Sequence, residues 1–344
     1  MGQMNFANME FSNKRKKTQK EIFFERMEKV VPFGEWCDLI RPYYYENGNG
    51  RQPIELEIML RMYLVSNWYS LSDEATEDLL CENLAARKFV GVTGDAPDST
   101  TLCKFRTLLQ KHKINENIFQ QLNATLEEKG ILVKTGTIVD ATAIEAPSST
   151  RNKEQKRNPE MSSVFHDRNT NNKKAVFGFK GHIGVDSKTG LVHSVAVSTG
   201  RESDIANAHK VLHGAETEIY GDAGYIGLEK RPEICEKYQD GTGEVERIIL
   251  PNGQKAKTWT YKKNSGIQFK INKRRFNLKD EDKPAEKEKS RIRWKVEHPF
   301  AVLKHRFGFR KTRQRTLAQN ESKLHFMFTL VNLLKCSAMK ISLS

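Results

Sequence analysis

Cysteine is scarce in this sequence, and its spacing excludes the usual cysteine-based sites. The chain has 5 cysteines among 344 residues, and no two of them are spaced as CxxC. An odd number of scattered thiols predicts neither a disulfide framework nor a zinc knuckle. We therefore expect reduced and mostly buried cysteines.

Long apolar runs are also missing. No stretch of the sequence approaches the roughly 20 apolar residues that a membrane-spanning helix needs. The opening segment MGQMNFANMEFSNKRKKTQK lacks the continuous apolar core of a secretory signal peptide. The sequence therefore predicts a soluble, cytoplasmic protein.

Acidic residues are outnumbered by basic ones. The sequence has 57 Lys and Arg against 43 Asp and Glu, a formal net charge of +14 with His neutral. A chain with this balance attracts polyanions, of which nucleic acid is the commonest. Hydrophobic residues make up 38%, which suffices for globular packing, and the length allows two domains with separate cores.

A helical pattern runs through residues 18–129. Apolar residues recur three and four positions apart in successive segments such as IELEIMLRMYLVSNWY and DSTTLCKFRTLLQKH. Ser72 and Asp98 stand where helix N-caps are expected, and Gly130 stands where a helix would stop. The pattern predicts an all-helical N-terminal domain over residues 1–130.

Two functions fit this helical domain. Short helices can form an interaction or dimerisation bundle, whereas a helix preceded by a polar turn such as GDAPDSTT is also what a helix-turn-helix protein places in a DNA major groove. The basic cluster Lys14, Arg15, Lys16 and Lys17 favours binding of DNA ends, although a solvated tail has the same composition. Both interpretations stay open.

Segments rich in β-branched residues characterise the second half of the chain. They are TGTIVDATAI, KGHIGVDS, LVHSVAVSTG and TEIYGDAGY, each bounded by Gly, Asp or Ser. The helical segment DIANAHKVLHG lies between the last two. This order predicts an α/β domain over residues 131–344.

Two aspartates follow apolar strands in this domain. Asp140 ends an apolar run, and Asp222 follows the short strand in TEIYGDAGY. One aspartate after a strand is usually a turn or N-cap residue, but two of them in one α/β domain indicate a functional pair at the edge of a sheet. Gly221 and Gly224 beside Asp222 permit close backbone approach at a crowded site.

A third carboxylate stands on a predicted amphipathic helix. An apolar stripe in SRIRWKVEHPFAVLKHRFGF predicts packing onto a sheet; it consists of Ile292, Val296, Phe300, Leu303 and Phe307. Arg293, Glu297 and Lys304 form a second stripe on a neighbouring face. A lone Arg/Glu pair at this spacing is ordinarily a surface salt bridge, and Pro299 should kink or interrupt the helix just past Glu297.

These segments together resemble a known family. VDATAIEAPSSTRNKEQKR, GHIGVDSKTGLVHS, YGDAGY and RIRWKVEHPFAVLKHRFGF are similar to bacterial DDE transposases of the insertion-sequence-five type, and the resemblance extends into the first hundred residues. It implies a ribonuclease-H-like catalytic domain with a mixed sheet flanked by helices. It also implies cleavage and strand transfer at the terminal inverted repeats of an insertion sequence.

The resemblance implies roles for individual residues. In the family's glutamate signature, Arg293, Glu297 and Lys304 match, whereas Ser290 stands where Tyr is usual. Asp140, Asp222 and Glu297 would be the catalytic metal ligands, and an all-oxygen set favours Mg²⁺ or Mn²⁺ over zinc. Two ions roughly 3.5 to 4 Å apart would serve an in-line displacement.

Basic residues around these carboxylates are candidates for binding DNA phosphates. Residues 270–315 contain 17 Lys and Arg against 6 Asp and Glu, a local excess of 17 − 6 = +11. The candidates for phosphate binding are Lys180, Lys273, Arg274, Arg275, Arg293, Lys304 and Arg306. His182 and Arg293 are candidates for supporting the metal ligands, although a packed sheet position is favoured for His182.

Two polar, Lys-rich segments, at 148–180 and 239–289, lack clean periodicity. They are expected to be DNA-tracking insertions or loops that order on binding.

The expected partner is double-stranded DNA, both element ends and target, bound by a homodimer or larger oligomer. Two alternatives remain at this stage. A DNA-binding regulator derived from a transposase would bind without cleaving, and another ribonuclease-H-like nuclease, such as a resolvase, would choose DNA by shape. Intact Asp140, Asp222 and Glu297 argue against the first, and the helical N-terminal half is unexplained by the second.

Overall fold

The computed structural model describes residues 16–44, 53–147, 160–165, 175–238, 244–249, 255–260 and 266–341. Lys14 and Arg15 of the predicted basic cluster lie outside these ranges, as do large parts of the polar segments. The chain forms two compact units, residues 1–114 with 333–344 and residues 115–332. No helix in the described ranges is long and apolar enough to cross a membrane.

Helices form the described part of the first unit before residue 114. They are α1 Gln19–Glu28, α2 Phe33–Tyr44, α3 Leu56–Trp68, α4 Asp73–Glu82, α5 Leu84–Val90 and α6 Ser99–Lys111. The predicted caps are confirmed, since Ser72 accepts a hydrogen bond from the amide of Ala75 and Asp98 accepts one from the amide of Thr101. Helix α3 is apolar on nearly every side and is buried over most of its length, which makes it the core of the unit.

The next helix, α7 Ile114–Glu128, belongs almost entirely to the second unit. The compact units therefore divide at residue 114, whereas the helical pattern of the sequence extends to residue 130. Asn123 of α7 explains this grouping, because its amide donates to the carbonyl of His193 at 3.3 Å and its oxygen accepts from Asn332 at 3.3 Å. Periodicity identifies a helix but does not say which residues its buried face contacts. The predicted stop at Gly130 is confirmed by its φ of 67°.

A mixed sheet organises the second unit. Its strands are β1 Gly136–Glu145, β2 Ser162–Phe165, β3 Ala175–Asp186, β4 Val192–Thr199, β5 Glu218–Gly221 and β8 Gln268–Ile271. Strand β1 is antiparallel to β3 and parallel to β5, and β5 is parallel to β8. The strands β6 Glu244–Ile249 and β7 Lys255–Thr260 form a separate antiparallel pair. The predicted fold class, a helical N-terminal region followed by a mixed sheet with flanking helices, is confirmed.

Helices of the same unit flank the sheet. These are α8 Asp204–Val211, α9 Pro232–Lys237, α10 Lys283–Arg293, α11 Glu297–Ala301 and the portion of α12 Leu317–Ala338 up to residue 332. One core cluster joins Val139 and Ile219 of the sheet to Ala208 and Val211 of α8. It holds β1 and β5 side by side, which is the arrangement that places the candidate site.

Two expectations need correction. Residues 239–289 are not one insertion, because β8 joins the central sheet and α10 begins at Lys283. These elements are short and contain Lys, so the sequence shows no clear periodicity of apolar residues there. The cysteines are not mostly buried, since Cys81 and Cys103 are exposed. The helix around Glu297 is interrupted, as the sequence predicts from Pro299, but the breaks lie at Trp294–Val296 and Val302–Arg306.

Four short helical forms follow one another around Glu297. Helix α10 ends at Arg293, a 3₁₀ turn spans Trp294–Val296, α11 spans Glu297–Ala301, and a π-helical turn covers Val302–Arg306. Pro299 is the third residue of α11, where it has no amide to donate to the preceding turn. The predicted apolar stripe still faces the interior, since Val296, Phe300, Leu303 and Phe307 are all buried.

Candidate active site

Asp140 lies inside strand β1, next to the point where β5 ends. The parallel register pairs Ile138 with Tyr220, so two residues further on Asp140 is level with Asp222. Strand β1 continues to Glu145 beside β3, so the edge near Asp140 is made by the end of β5 and not by the end of β1. The side chain of Asp140 is 20% exposed, and its Oδ1 accepts a hydrogen bond from the amide of Ala141 at 2.8 Å.

Asp222 follows β5 directly and caps the 3₁₀ turn Ala223–Tyr225. Its Oδ1 accepts a hydrogen bond from the amide of Gly224 at 2.8 Å. A Cβ on Gly224 would lie 3.0 Å from that oxygen, and a Cβ on Gly221 would lie about as close to Ile271 and Tyr225. The close backbone approach expected at both glycines is therefore present, and it fixes the Asp222 carboxylate.

Glu297 enters the same site from the start of α11. Its side chain is 51% exposed, and its Oε1 lies 3.6 Å from Nη1 of Arg293. The same Nη1 lies 3.9 Å from Oδ2 of Asp140. Arg293 therefore bridges two carboxylates that are distant in the sequence, which is more than the local i, i+4 pair that helical spacing predicts.

The three carboxylates form one electrostatic cluster. Burial raises the pKa of Asp140 to about 7, against the lowering effect of the hydrogen bond from Ala141. The negative charges of Asp222 and Glu297 raise this pKa further, and the positive charge of Arg293 lowers it. Ionised Asp222 and Glu297 therefore make ionisation of Asp140 more costly.

The donor set fits a hard divalent cation in its chemistry. Asp140, Asp222 and Glu297 offer carboxylate oxygens, which suit Mg²⁺ or Mn²⁺, and a cation would relieve their mutual repulsion. Across the described residues, however, no three His, Cys, Asp or Glu side chains stand in a geometry that could hold a metal ion. The guanidinium of Arg293 instead pairs with Asp140 and Glu297.

The other predicted phosphate contacts are dispersed. Lys180 forms an ion pair with Asp204 at 2.9 Å, and Lys273 forms one with Asp282 at 2.8 Å. Arg274 and Arg306 are exposed, and the side chain of Arg275 lies outside the described residues.

Lys304 lies in the π-helical turn rather than on the face of Glu297 that an unbroken helix would give it. Burial lowers its pKa, and the charge that lowers it further is that of Arg310. The carboxylates of the cluster make no contribution to this shift.

His182 occupies the packed sheet position that was favoured for it. It is 1% exposed, and its Nε2 lies 2.7 Å from Oγ of Ser198. Burial lowers its pKa to about 4. Its neutral ring pairs with a hydroxyl of the neighbouring strand, and its contacts are with the sheet.

The residues flanking Arg293 were not predicted as part of the site. Trp294 is 71% exposed, although a large aromatic side chain is ordinarily buried. Lys295 donates to the carbonyls of Ser187 at 2.5 Å and Lys188 at 3.1 Å, which ties the turn before Glu297 to the β3–β4 turn. The WK pair in RIRWKVEHPF was the available signal, because an aromatic residue among cations is typical of nucleic-acid surfaces.

Ser290, which replaces the usual Tyr of the signature, has a structural contact of its own. Its Oγ accepts a hydrogen bond from Nδ2 of Asn272 at 3.2 Å, and the same amide donates to Glu286 at 2.9 Å. These bonds tie α10 to the end of β8, which orients the helix that carries Arg293.

Two family models and a solved structure match this chain. The family model described as "Transposase DDE domain" matches residues 132–333, and the model "Transposase domain (DUF772)" matches residues 11–108. Among solved structures, the chain is similar to a piggyBac transposase, solved by cryo-EM as a synaptic complex with hairpin DNA. The identity is 11% and the TM-score 0.36, over 94% of this chain and 76% of that chain. Because the first model covers more than half of the sequence and includes all three carboxylates, the chain belongs to the family of transposases with a DDE domain.

Proposed function

We propose that this transposase binds the terminal inverted repeats of an insertion sequence, cleaves the DNA there and transfers the cut strands to target DNA. Asp140, Asp222 and Glu297 are the proposed metal ligands for both reactions. The cofactor is Mg²⁺ or Mn²⁺, in two ions.

One observation carries this proposal. Asp222 and Glu297 come from elements far from Asp140 in the sequence, yet their charges both act on its pKa. Crowding three carboxylates at a partly buried position destabilises a folded protein unless a cation is bound there. A carboxyl group whose pKa is raised by burial and by neighbouring charges, as that of Asp140 is, is typical of functional sites.

Each residue of the carboxylate cluster has a separate proposed role. Bound divalent ions would polarise the scissile phosphate and activate the attacking water or 3′-hydroxyl. The carboxylates of Asp140 and Asp222 are held in fixed positions, because each accepts a hydrogen bond from a nearby backbone amide, that of Ala141 and that of Gly224. Arg293 orients Glu297, whose carboxylate is otherwise exposed. With a divalent ion bound, Arg293 would keep its contact with Glu297, and Asp140 would bind the ion in place of the guanidinium.

The surroundings of the cluster favour DNA as the substrate. The excess of +11 over residues 270–315 offsets the repulsion between the carboxylates and a phosphate backbone. Trp294 offers a flat apolar surface beside Arg293, on which a base or sugar can pack. We propose a homodimer or larger oligomer on DNA, because two ends must be processed together.

The test uses purified full-length protein and DNA carrying the ends of the element that encodes it. With Mg²⁺ we expect cleavage at the repeat termini followed by joining to a second duplex. Asp140→Asn, Asp222→Asn and Glu297→Gln should each abolish both reactions and leave DNA affinity nearly unchanged, because each removes a metal ligand and no apolar contact. Asp280→Asn is the matched control, since it neutralises one exposed carboxylate outside the cluster.

Retained cleavage by any of the three variants would remove that residue from the catalytic set. Sequence-specific binding by the wild-type chain without cleavage, in Mg²⁺ and in Mn²⁺, would instead identify a DNA-binding regulator.

A further inference from the structure

Helix α6 has one exposed face that contains no acidic residue. The exposed residues are Thr100, Cys103, Lys104, Thr107 and Lys111. They recur three or four positions apart, so they lie on one side of the helix. The opposite side is buried through Leu102, Phe105 and Leu109.

Contacts with α4 fix the orientation of this face. Nη1 and Nη2 of Arg106 lie 2.5 and 2.8 Å from the two carboxylate oxygens of Asp73. The carboxylate of Glu77 accepts a hydrogen bond from the amide of Ser99 at 2.8 Å, at the first residue of α6. A bidentate ion pair has a specific geometry. The contacts with α4 therefore fix the rotation of α6 about its axis and the direction in which its exposed face points.

The charge of this face contrasts with that of its neighbour. Helix α4 contains five acidic residues and no basic one, whereas α6 contains three basic residues and no acidic one. Arg106 is occupied by Asp73, but Lys104 and Lys111 make no ion pair with any residue that the structure describes. A polyanion can therefore approach this pair of helices from the exposed face of α6 and is repelled by α4.

We propose that the exposed face of α6 enters the major groove of duplex DNA and reads its sequence. Thr100 presents its hydroxyl and methyl groups to base edges. The Thr107 hydroxyl donates to the carbonyl of Cys103 at 2.9 Å, so Thr107 presents its methyl group and its hydroxyl oxygen as an acceptor. Lys104 and Lys111 contact phosphates. A helix of 13 residues is about 20 Å long, and the major groove accommodates an α-helix. The inference rests on the proposed function, and it assigns recognition of the element ends to one helix.

The first test uses two native thiols and needs no substitution. Cys103 lies on the exposed face of α6, and Cys81 is exposed on α4. The full-length protein is alkylated with a maleimide without metal, alone and with saturating duplex from the element ends, and the modified peptides are quantified over time. We expect DNA to slow alkylation of Cys103 several-fold and to leave the rate at Cys81 unchanged. Equal protection of both thiols, or of neither, would overturn the proposal.

The second test separates recognition of the base sequence from electrostatic attraction to the phosphates. A pool of duplexes with a randomised central stretch is bound to the full-length protein, recovered and sequenced. Thr100→Ala with Thr107→Ala should weaken the preference for the enriched bases about tenfold at a few adjacent positions. Lys104→Gln with Lys111→Gln should weaken binding to all duplexes alike and lower the salt slope by about two. Lys29→Gln with Lys88→Gln removes the same charge from exposed positions outside α6 and should change neither result.

A selected sequence that both α6 variants recover unchanged would overturn the proposal, as would a wild-type protein that selects no sequence at all. Failure of the proposed function has a different signature, namely absence of Mg²⁺-dependent cleavage. Neither alkylation nor selection measures cleavage, so the two failures are distinguishable.

Discussion

Arg293 is the residue that connects the two halves of the carboxylate cluster. Its guanidinium is within 4 Å of both Asp140 and Glu297, and its side chain is 27% exposed. Helical spacing predicted the contact with Glu297 but not the contact with Asp140, because that contact depends on where α10 packs against β1. We therefore propose that Arg293 positions Glu297 and compensates the charge of both carboxylates.

Replacing Arg293 should affect metal use more than stability. We expect Arg293→Ala to slow single-turnover cleavage about 10 to 100-fold and to shift the Mg²⁺ dependence to higher concentration, as loss of a group that orients a metal ligand does. Arg291→Ala removes an exposed arginine from the same helix and should leave the Mg²⁺ dependence unchanged. An unaltered Mg²⁺ dependence for Arg293→Ala would show that the arginine does not orient Glu297.

Trp294 should contribute to DNA binding and not to folding. An aromatic residue that is 71% exposed loses little buried surface on truncation, so the unfolding temperature of Trp294→Ala should stay close to that of the wild type. Stacking on a base contributes about 1 to 3 kcal/mol, so affinity for DNA should fall roughly 5 to 150-fold. Trp68→Ala is the control, because Trp68 is 3% exposed and its replacement should lower the unfolding temperature. Unchanged affinity for Trp294→Ala in a fluorescence anisotropy titration would place this side chain away from DNA.

At the scale of elements, local signals were predictable and long-range ones were not. The caps at Ser72 and Asp98 and the stop at Gly130 follow from residues within a few positions of each helix end. The alignment of Asp140 with Asp222 depends on parallel pairing of β1 with β5, which no local pattern encodes. The short strand β8 was missed because its central residues are half-buried and its flanks are polar, so its alternation is weak.

The π-helical turn after Pro299 changes the prediction for Lys304. An unbroken helix would place Lys304 on the face of Glu297, two turns further along. The 3₁₀ turn before Glu297 and the wider turn at Val302–Arg306 break that register. We therefore expect Lys304→Ala to cleave DNA at close to the wild-type rate. A large loss of cleavage with unchanged affinity and stability would show that Lys304 reaches the scissile phosphate despite the wider turn.

At the scale of the whole molecule, buried histidines make folding sensitive to acid. His182 of β3 and His193 of β4 are 1% and 7% exposed, and burial lowers the pKa of both below the usual value for histidine. The groups facing His193 are the Thr137 hydroxyl at 3.1 Å, the Ser194 hydroxyl at 2.9 Å and the ring of His213 at 5.3 Å. The charges of His213 and Lys134 lower its pKa further. These rings are neutral in the folded sheet.

Proton uptake by the histidines on unfolding explains why acid lowers the stability of the fold. Below the ordinary histidine pKa of 6.5 the unfolded chain takes up a proton on each ring, whereas the folded chain does so at His182 only near pH 4. The unfolded state binds more protons in this pH window. The contribution of the buried histidines to the free energy of unfolding is therefore fully present above pH 6.5 and is lost as the pH falls towards 4. For His182 alone the loss reaches up to about 3 kcal/mol, since one pKa unit corresponds to about 1.4 kcal/mol.

His182→Gln should therefore flatten the fall of the unfolding temperature between pH 6.5 and 4, because the glutamine cannot take up a proton on unfolding. It retains a polar group towards Ser198, which limits the cost at neutral pH. His305→Gln changes an exposed histidine and should leave the profile as it is. Scanning calorimetry of the three proteins across this range measures the effect. Parallel profiles for His182→Gln and the wild type would mean that His182 binds its proton equally in both states, and the acid sensitivity would then have to come from His193 and the carboxylates.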